Sequence, residues 1–597
     1  MDSPAREWVI PEQHEHAAEA NDLARRLGIS RVTAAILLRR GYAAVDSARE
    51  YLEPALSRLV DPEGLPGMQA GADRLAAAVR AGEKILLFGD YDVDGTTGSV
   101  VLFEVLTALG ASVEAHIPDR GDGYGMNVPR LERAANEGVR VLVSIDNGVA
   151  AIEEAAFLRE RGVDLVVADH HTFAPTLPVA HAIIHPRLPG SDYANPHLCG
   201  AGVAFKLAWA TAARLGPNGK PARPMQDVLL RCLAFVALGT IADVVPLVGE
   251  NRVLVRFGLK ALTAGVLPGL KALLEVSKIE GALGSHEVAF RLAPRLNAAG
   301  RMGVARRAFE LLTTRDLERA RALAKELDEE NEKRRAVQDR VFREAKEKVE
   351  AAYGAAPLRA PGIVVWDEGW PHGIVGIVAA KLTETYSRPA LVAGLEGGKA
   401  KGSGRTCGGV DLLRSLEPAR ALFVRMGGHQ AAVGFTAEPE QLEAVREAFN
   451  HGVTAALGMA DDTPAAEVAA RLEGYEVVAD AEVRLEDVSR ELVDEIEKMS
   501  PFGEGNREPL FTVRDVSLAG EPRPMGKKGE HLAFHVRQGE HVLRTVAFSR
   551  PDLVQQLIER ARPGPTGAGQ FDLAFKPRIN RWNGESKLEL ELKAIRF

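Results

Sequence analysis

Cysteine is nearly absent: the 597 residues hold three, Cys199, Cys232 and Cys407. Far apart and odd in number, they form neither a zinc spacing nor a disulfide framework, which fits a reducing, cytoplasmic setting. Aromatic residues are scarce, at 6%. No uninterrupted apolar run approaches the roughly 20 residues that span a bilayer, so no membrane association is expected. The opening MDSPAREWVIPEQHE lacks a basic start followed by an apolar block, and no secretory signal is read there. Excess positive charge is also missing. The net charge of −8 argues against a polyanionic partner until its distribution is considered. From Arg507 to Phe597, 16 Lys+Arg face 11 Asp+Glu, a net +5 that leaves −13 for the rest. An acidic body with a basic tail domain suits a protein that holds a polyanion at one end.

The chain is too long for one core, and its patterning divides it. Residues 1–82 read as a helical segment packing on the domain that begins at 83. Short apolar runs at Ile85–Phe88, Val113–Ile117, Val139–Ile145, Val163–Ala168 and Ala182–Ile184 alternate with helical stretches at Thr97–Leu109, Val128–Asn136 and Ala150–Arg161. Such alternation predicts an α/β domain with a parallel sheet over 83–314. Residues 315–353 contain neither Gly nor Pro and predict a connecting helix of roughly 55–60 Å, at ~1.5 Å per residue, with two shorter helices as the alternative. A second α/β domain is expected over 354–460. Over 461–597 a linker leads into strands at Leu510–Val513, His531–Val536, Leu543–Phe548, Asp572–Phe575 and Leu588–Leu592, the pattern of a five-stranded OB-fold-like barrel.

The stretch Phe88-Gly-Asp-Tyr-Asp-Val-Asp-Gly95 places Asp90, Asp92 and Asp94 at alternate positions before a glycine, as a calcium-binding EF-hand loop does. An EF-hand also needs a glutamate at loop position 12 and a helix on each side. Here position 12 is Val101 and the preceding residues read as a buried strand, so the calcium loop fails. What remains is a strand delivering carboxylates at i, i+2 and i+4 to a crevice. Asp146, in Ser-Ile-Asp-Asn-Gly, and Asp169-His170-His171 follow later strands, and Asp243 follows an apolar helix. A lone strand-end Asp is usually a cap, and His-His is usually a chance surface pair. Carboxylates gathered at successive strand ends instead call for divalent cations, and Asp/His ligands without Cys suit Mn²⁺ or Mg²⁺. Two such ions can activate a water and clamp a phosphoryl oxygen during in-line displacement.

With GDYDVDG, SIDNG, DHH and GTIADVVPL in this order, the sequence resembles the DHH phosphoesterase superfamily, and within it the RecJ single-strand-specific exonucleases. APRLNAAGRMG (Ala293–Gly303), VRMGGHQAAVGF (Val424–Phe435) and PFGEGNREPLF (Pro501–Phe511) extend the resemblance from about Arg39 to the C-terminus. It implies a DHH catalytic domain over 83–314, a DHH-associated domain over 354–460 and metal ligation by Asp92, Asp94, Asp146, His170 and Asp243, with Asp146 bridging two ions. His171 is implied to contact a metal or the scissile phosphate, and Asp90 and Asp169 to ligate or orient their neighbours. Many relatives carry a His four residues before the equivalent of Asp92. Here that position is Phe88, so the first ion would need Asp90 or water.

Ser403, Arg405, Gly427, Gly428 and His429 offer a hydroxyl, backbone amides and a guanidinium to a terminal phosphate, against the alternatives of ordinary glycine turns and a core histidine. Arg120, Arg295 and Arg301 are further candidates for phosphate contacts. In the barrel, Lys527, Lys528, Arg578 and Trp582 suit backbone tracking and base stacking. The resemblance implies a 5′→3′ exonuclease that degrades single-stranded DNA to 5′-mononucleotides in DNA repair and recombination. It further implies a monomer working with single-strand-binding protein and a RecQ-type helicase. The rivals are a DHH phosphoesterase acting on short oligonucleotides, which would lack the barrel, and a non-catalytic binding protein, which would lose the metal carboxylates.

Overall fold

A computed structural model describes the chain apart from residues 1–7, 12–16, 119–124, 266, 280–282, 302–304, 355–359, 461–462, 465–466, 469–470, 473–476, 527–528, 551–552, 561–568 and 583–584. Contacts divide it into two compact units, one formed by 16–331 and 491–509, the other by 332–490, 510–597 and the N-terminal residues.

The first unit is built on five parallel strands: β1 (Lys84–Gly89), β2 (Ser112–His116), β3 (Val139–Ile145), β4 (Asp164–Ala168) and β5 (Ala182–Ile184). Alternate side chains of β1 enter different cores. Ile85 and Leu87 join the large cluster with Val101, Val105 and Phe235. Leu86 and Phe88 join a second one with Leu131 and Leu158. A strand buried on both faces reads as an unbroken apolar run, which is why KILLFG does. The strand order is β2-β1-β3-β4-β5. The connections therefore reverse direction between β1 and β3, and the crevice beyond the carboxyl ends of those two strands is where such sheets bind ligands.

One expectation needs correction. The strand ends at Gly89, and helix α1 (Val93–Ala108) starts inside the acidic motif, four residues earlier than the periodicity indicates. Asp92 is its N-cap, accepting from Gly95 N–H at 3.0 Å, and Asp94 lies in its first turn. Asp is a strong N-cap residue, and that local hydrogen bond prevails over continued extension. Two helices, α2 (Gly200–Leu215) and α3 (Arg223–Ala242), pack against α1, and α4 (Gly249–Thr263) follows a short loop. Helix α3 is the one helix among the described residues long and apolar enough to cross a membrane, and 67% of its apolar window is buried inside the fold. It belongs to the core, with Leu233, Phe235 and Leu238 at 2% exposure or less.

Leu317–Tyr353 forms one continuous 37-residue helix, α5. The absence of Gly and Pro has the expected effect, and the two-helix alternative is set aside. In the second unit a five-stranded sheet comprises β6 (Ile363–Glu368), β7 (Ala390–Glu396), β8 (Lys399–Arg405), β9 (Phe423–His429) and β10 (Ala432–Ala437), in the order β9-β10-β8-β7-β6. The glycines of Lys399–Arg405 are strand residues rather than turns. A Cβ on Gly402 would fall 2.0 Å from the Phe435 ring, and one on Gly404 would fall 2.5 Å from Leu391. The barrel has seven strands instead of five, because short segments at Ala481–Glu482 and Arg523–Met525 flank the five expected ones. A second pairing, of Phe511–Leu518 with His531–Gln538, links strands far apart in the sheet order.

Candidate metal centre and phosphate basin

At the switch point the sequence candidates converge. Ligand atoms of Asp90, Asp92 and Asp146 lie within 4.8 Å of one another, as do those of Asp94, His170 and Asp243, and those of Asp146, His170 and His171. Asp146 belongs to two of the triplets, as a bridging carboxylate would. Its backbone, at φ +63°, is in the left-handed region, where Asp is among the few residues tolerated. His170 Nε2 faces Asp146 at 3.1 Å, Asp243 at 3.5 Å and Asp94 at 3.8 Å.

The surroundings hold these groups in place. Both oxygens of Asp94 accept from the first amides of α2, Gly200 N–H at 2.6 Å and Ala201 N–H at 2.9 Å, an anion held at a helix N-terminus. A Cβ on Gly200 would come within 2.7 Å of Asp146 Oδ1, and one on Gly239 within 2.5 Å of Asp94 Oδ1. Sequence reasoning missed this cradle. Its one signal is the Gly-Ala-Gly run opening an apolar helix at 200–202.

Asp169 is different in kind. Its Oδ1 accepts from the amides of His170 (2.7 Å) and His171 (3.1 Å) and pairs with His171 Nδ1 at 2.9 Å, while Oδ2 accepts from Val149 N–H at 3.0 Å. Both Asp169 oxygens are thus engaged by groups of the protein itself. Phe88 stays in the apolar cluster, its ring 5.0 Å from that of His116, and Asp90 stands in the triplet with Asp92 and Asp146.

Charge follows geometry. Burial, with the carboxylates nearby, pushes Asp90 up to about 7 and Asp243 up to about 8, and raises Asp94 and Asp146 too. Burial lowers His170 to about 4, leaving a neutral imidazole able to ligate. Burial opposes charge on His171 as well, but its bond to Asp169 and the surrounding carboxylates hold it at about 9, a cation at neutral pH. Asp90 Oδ1 and His170 Nε2 are buried without a hydrogen-bond partner among the described residues. Oxygen donors with one neutral imidazole fit Mn²⁺ or Mg²⁺.

A pH dependence follows for chelator-treated protein. Asp90, Asp243 and His171 all bind protons more tightly folded than unfolded, so their contribution to stability is present at lower pH. It is lost as pH rises through about 7, 8 and 9. The thermal midpoint is expected to fall between about pH 6.5 and 9 in chelator. Saturating Mn²⁺, which favours the ionised carboxylates, is expected to flatten or reverse the slope. Scanning calorimetry across that range checks this, and parallel slopes with and without Mn²⁺ would refute it.

In the second unit, Arg405, Ala432 and His429 are in register across β8, β10 and β9, and Ser403, Gly434 and Gly427 form the next row of the same face. Among the described residues no atom lies within 4 Å of a Cβ built on Gly427 or Gly434. Gly428, at φ +147°, passes so close to the neighbouring strand that a Cβ there would stand 2.3 Å from the Ala432 carbonyl oxygen. Arg405 Nη1 donates to Ser403 Oγ at 3.0 Å, and His429 is exposed, which sets aside its core alternative.

Other candidates fare differently. Arg295 is 8% exposed and bonded to Asp328 (2.8 Å) and the Arg291 carbonyl (2.5 Å), the setting of a structural cation rather than a phosphate ligand. Arg578 pairs with Glu589 at 2.6 Å beneath the exposed Phe548 ring, so part of the barrel's positive charge is neutralised locally. Phe534, at 1% exposure, is barrel core. Arg120, Lys527 and Lys528 lie outside the described residues, as do the side chains of Arg301 and Trp582.

Comparison with known proteins agrees with this layout. Family models match as the DHH family N-terminal domain over residues 84–240, the DHHA1 domain over 359–455 and the RecJ OB domain over 479–594. The single-stranded-DNA-specific exonuclease RecJ of Bacillus subtilis (strain 168) is 35% identical over 590 residues, covering 98% of this chain and 70% of the relative. The crystal structure of RecJ from Thermus thermophilus in complex with Mn²⁺ superposes with a TM-score of 0.78 at 30% identity, covering 99% of this chain and 79% of that one. The same enzyme in complex with Mg²⁺ gives 0.72 at 28% identity, covering 99% and 78%.

Proposed function

The chain belongs to the RecJ family of single-stranded-DNA-specific exonucleases, and from that premise we propose that it degrades single-stranded DNA from the 5′ end, releasing 5′-mononucleotides. The observation that carries the reading is the set of overlapping triplets sharing Asp146 and His170. In this reading Asp90, Asp92 and Asp146 would hold one divalent ion, and Asp94, His170 and Asp243 with Asp146 would hold the second. When bound, such ions supply Lewis-acid stabilisation of phosphoryl oxygens and activation of a water for in-line attack.

The protein's own groups do the rest. Asp169 fixes the His171 ring through Nδ1, and the His171 cation presents its remaining N–H to a non-bridging phosphate oxygen as charge builds there. Asp94, locked by two backbone amides, cannot swing with the substrate. The Ser403–Arg405–His429 face receives a phosphate of the same strand, and the barrel holds the single strand by its backbone. The Glu589 pairing with Arg578 leaves that part of the task to other cations. Repair and recombination, with single-strand-binding protein and a RecQ-type helicase as partners, are the setting this reading implies.

A long single strand labelled at either end, incubated with Mn²⁺, Mg²⁺ or chelator, tests the reading. Early release of the 5′ label as a mononucleotide, abolished by chelator, is expected. Early release of the 3′ label refutes the polarity, and binding without cleavage refutes the reaction. For Arg405→Ala, kcat/KM on 5′-phosphorylated strands is expected to fall about 10–100-fold, the worth of a charge-assisted hydrogen bond pair. The loss on 5′-hydroxyl strands should be smaller. An equal loss on both would remove the terminal phosphate from that basin.

A further inference from the structure

The stretch Pro501-Phe-Gly-Glu-Gly-Asn506 takes no part in the chemistry above. In sequence it lies between two barrel strands, Ala481–Glu482 and Phe511–Leu518, yet Glu491–Pro509 belongs to the same compact unit as the metal centre. Gly503 and Asn506 exchange backbone hydrogen bonds of 3.0 and 3.1 Å, closing a tight turn in which Gly505 has φ +67°. From this turn the Glu504 carbonyl accepts Leu247 N–H at 2.7 Å. A Cβ on Gly503 would stand 2.7 Å from Leu247 Cδ1, and one on Gly505 would stand 3.1 Å from Pro246 Cβ. The turn therefore grips the loop that leaves Asp243, at its third and fourth residues.

The turn is itself immobilised. Arg252, 3% exposed, donates to the carbonyls of Lys498 (2.8 Å), Met499 (3.3 Å) and Ser500 (2.9 Å), and also to that of Tyr51. The Asn506 side chain accepts from Tyr51 Oη–H at 2.7 Å and donates to Met499 and Pro501 carbonyls at 3.1 and 2.8 Å. On the loop's other side, Asn251 Nδ2 donates to the Pro246 carbonyl at 3.0 Å. Between this anchorage and Asp243 lies Val244, with φ +58° and 65% exposed. A β-branched residue in the left-handed region is an outlier, and burial of its side chain does not compensate it here. Such strain persists where the surroundings over-determine the backbone.

We propose that the Gly503–Asn506 turn is a positioning element for Asp243, holding through Leu247 and the strained Val244 the carboxylate that faces His170 and Asp94. The proposal rests on the reading of Asp243 as a metal ligand. The full-length protein tests it with Gly503→Ala, which drives a methyl into Leu247, and Gly505→Asn, a residue that accepts φ +67° and sets its Cβ 3.1 Å from Pro246. Mn²⁺ binding is read by the electron paramagnetic resonance of free Mn²⁺, and folding by the thermal midpoint in chelator.

For Gly503→Ala, Mn²⁺ affinity is expected to fall about tenfold, as when a group orienting a metal ligand is removed. The effect should vanish in an Asp243→Asn background, since the turn acts through that carboxylate. A lowered thermal midpoint with unchanged Mn²⁺ affinity overturns the proposal, and so does an additive loss in the double variant. Should Gly503→Ala not fold, Gly505→Asn decides by the same two readouts. Were Asp243→Asn alone to bind Mn²⁺ as the wild type does, the ligand assignment itself would fall, and the proposal with it.

Discussion

Asp146→Asn is expected to lower the rate of single-strand degradation by at least ~10³-fold, about 4 kcal/mol of transition-state stabilisation, while the protein folds normally. Asparagine is the substitution of choice because position 146 has φ +63°, a conformation Asn accepts and Ala does not. The change removes the charge from the one carboxylate shared by two triplets and leaves its shape. It also removes a costly charge, since burial first and then Asp94, Asp92 and Asp243 all act to raise the Asp146 carboxyl. The thermal midpoint in chelator is therefore expected to equal or exceed that of the wild type. Saturating Mn²⁺ should raise the wild-type midpoint by mass action and the variant's far less. A variant that degrades DNA within tenfold of wild type, or keeps the full Mn²⁺ shift, would deprive Asp146 of its bridging role.

The same position shows what was legible in the sequence. Asp90, Asp92, Asp94, Asp146, His170 and Asp243 could be gathered from sequence because each follows a recognisable apolar strand or helix. Parallel sheets bring such ends to one edge. The sheet order that puts Asp146 opposite the first motif could not be read, since strand neighbours depend on packing between distant segments. Nor could the start of α1 at Val93 be read from periodicity. Capping by Asp92 is one hydrogen bond, and it moves Asp94 from a strand to a helical turn, where the amides of Gly200 and Ala201 reach it.

Glycine misled in both directions. In Lys399–Arg405 it looked like turn material but permits strand contact under Phe435, whereas at Gly200 and Gly239 it passed unnoticed beside the carboxylates. A charge count gives the sum and not its placement: within the net +5 of the tail domain, Arg544 and Arg578 are both committed to the buried Glu589. The binding-protein rival is answered by the retained, converging carboxylates, and the short-oligonucleotide rival by the barrel.

Asp169→Asn separates orientation from ligation within the Asp169-His170-His171 triplet. Asp169 accepts from two successive backbone amides, from Val149 N–H and from the His171 ring, and its carboxyl is held at about 2. Burial alone would raise it, and the His171 bond and charge outweigh that. Asparagine keeps an oxygen for the amides but withdraws the anion that holds His171 at about 9. The imidazole should then titrate near its ordinary 6.5 or lower, since burial is the largest influence on it. At pH 8 the wild-type ring is a cation and the variant's is neutral, and the rate is expected to fall about 10²–10³-fold, less than the ~10⁴-fold loss when the orienting carboxylate of a catalytic triad becomes an amide, since here the ions carry part of the stabilisation.

The sign is fixed by the pH series. Below about pH 6 the variant's ring regains its proton, so the deficit relative to wild type at the same pH should shrink. Comparing the two proteins at each pH cancels the protonation of the metal carboxylates, which both share. Mn²⁺ affinity should change far less than in Asp146→Asn, because the Asp169 oxygens are filled by hydrogen bonds. A deficit that is the same from pH 6 to pH 9 would make Asp169 a purely structural brace. Loss of Mn²⁺ binding equal to that of Asp146→Asn would make it a ligand after all.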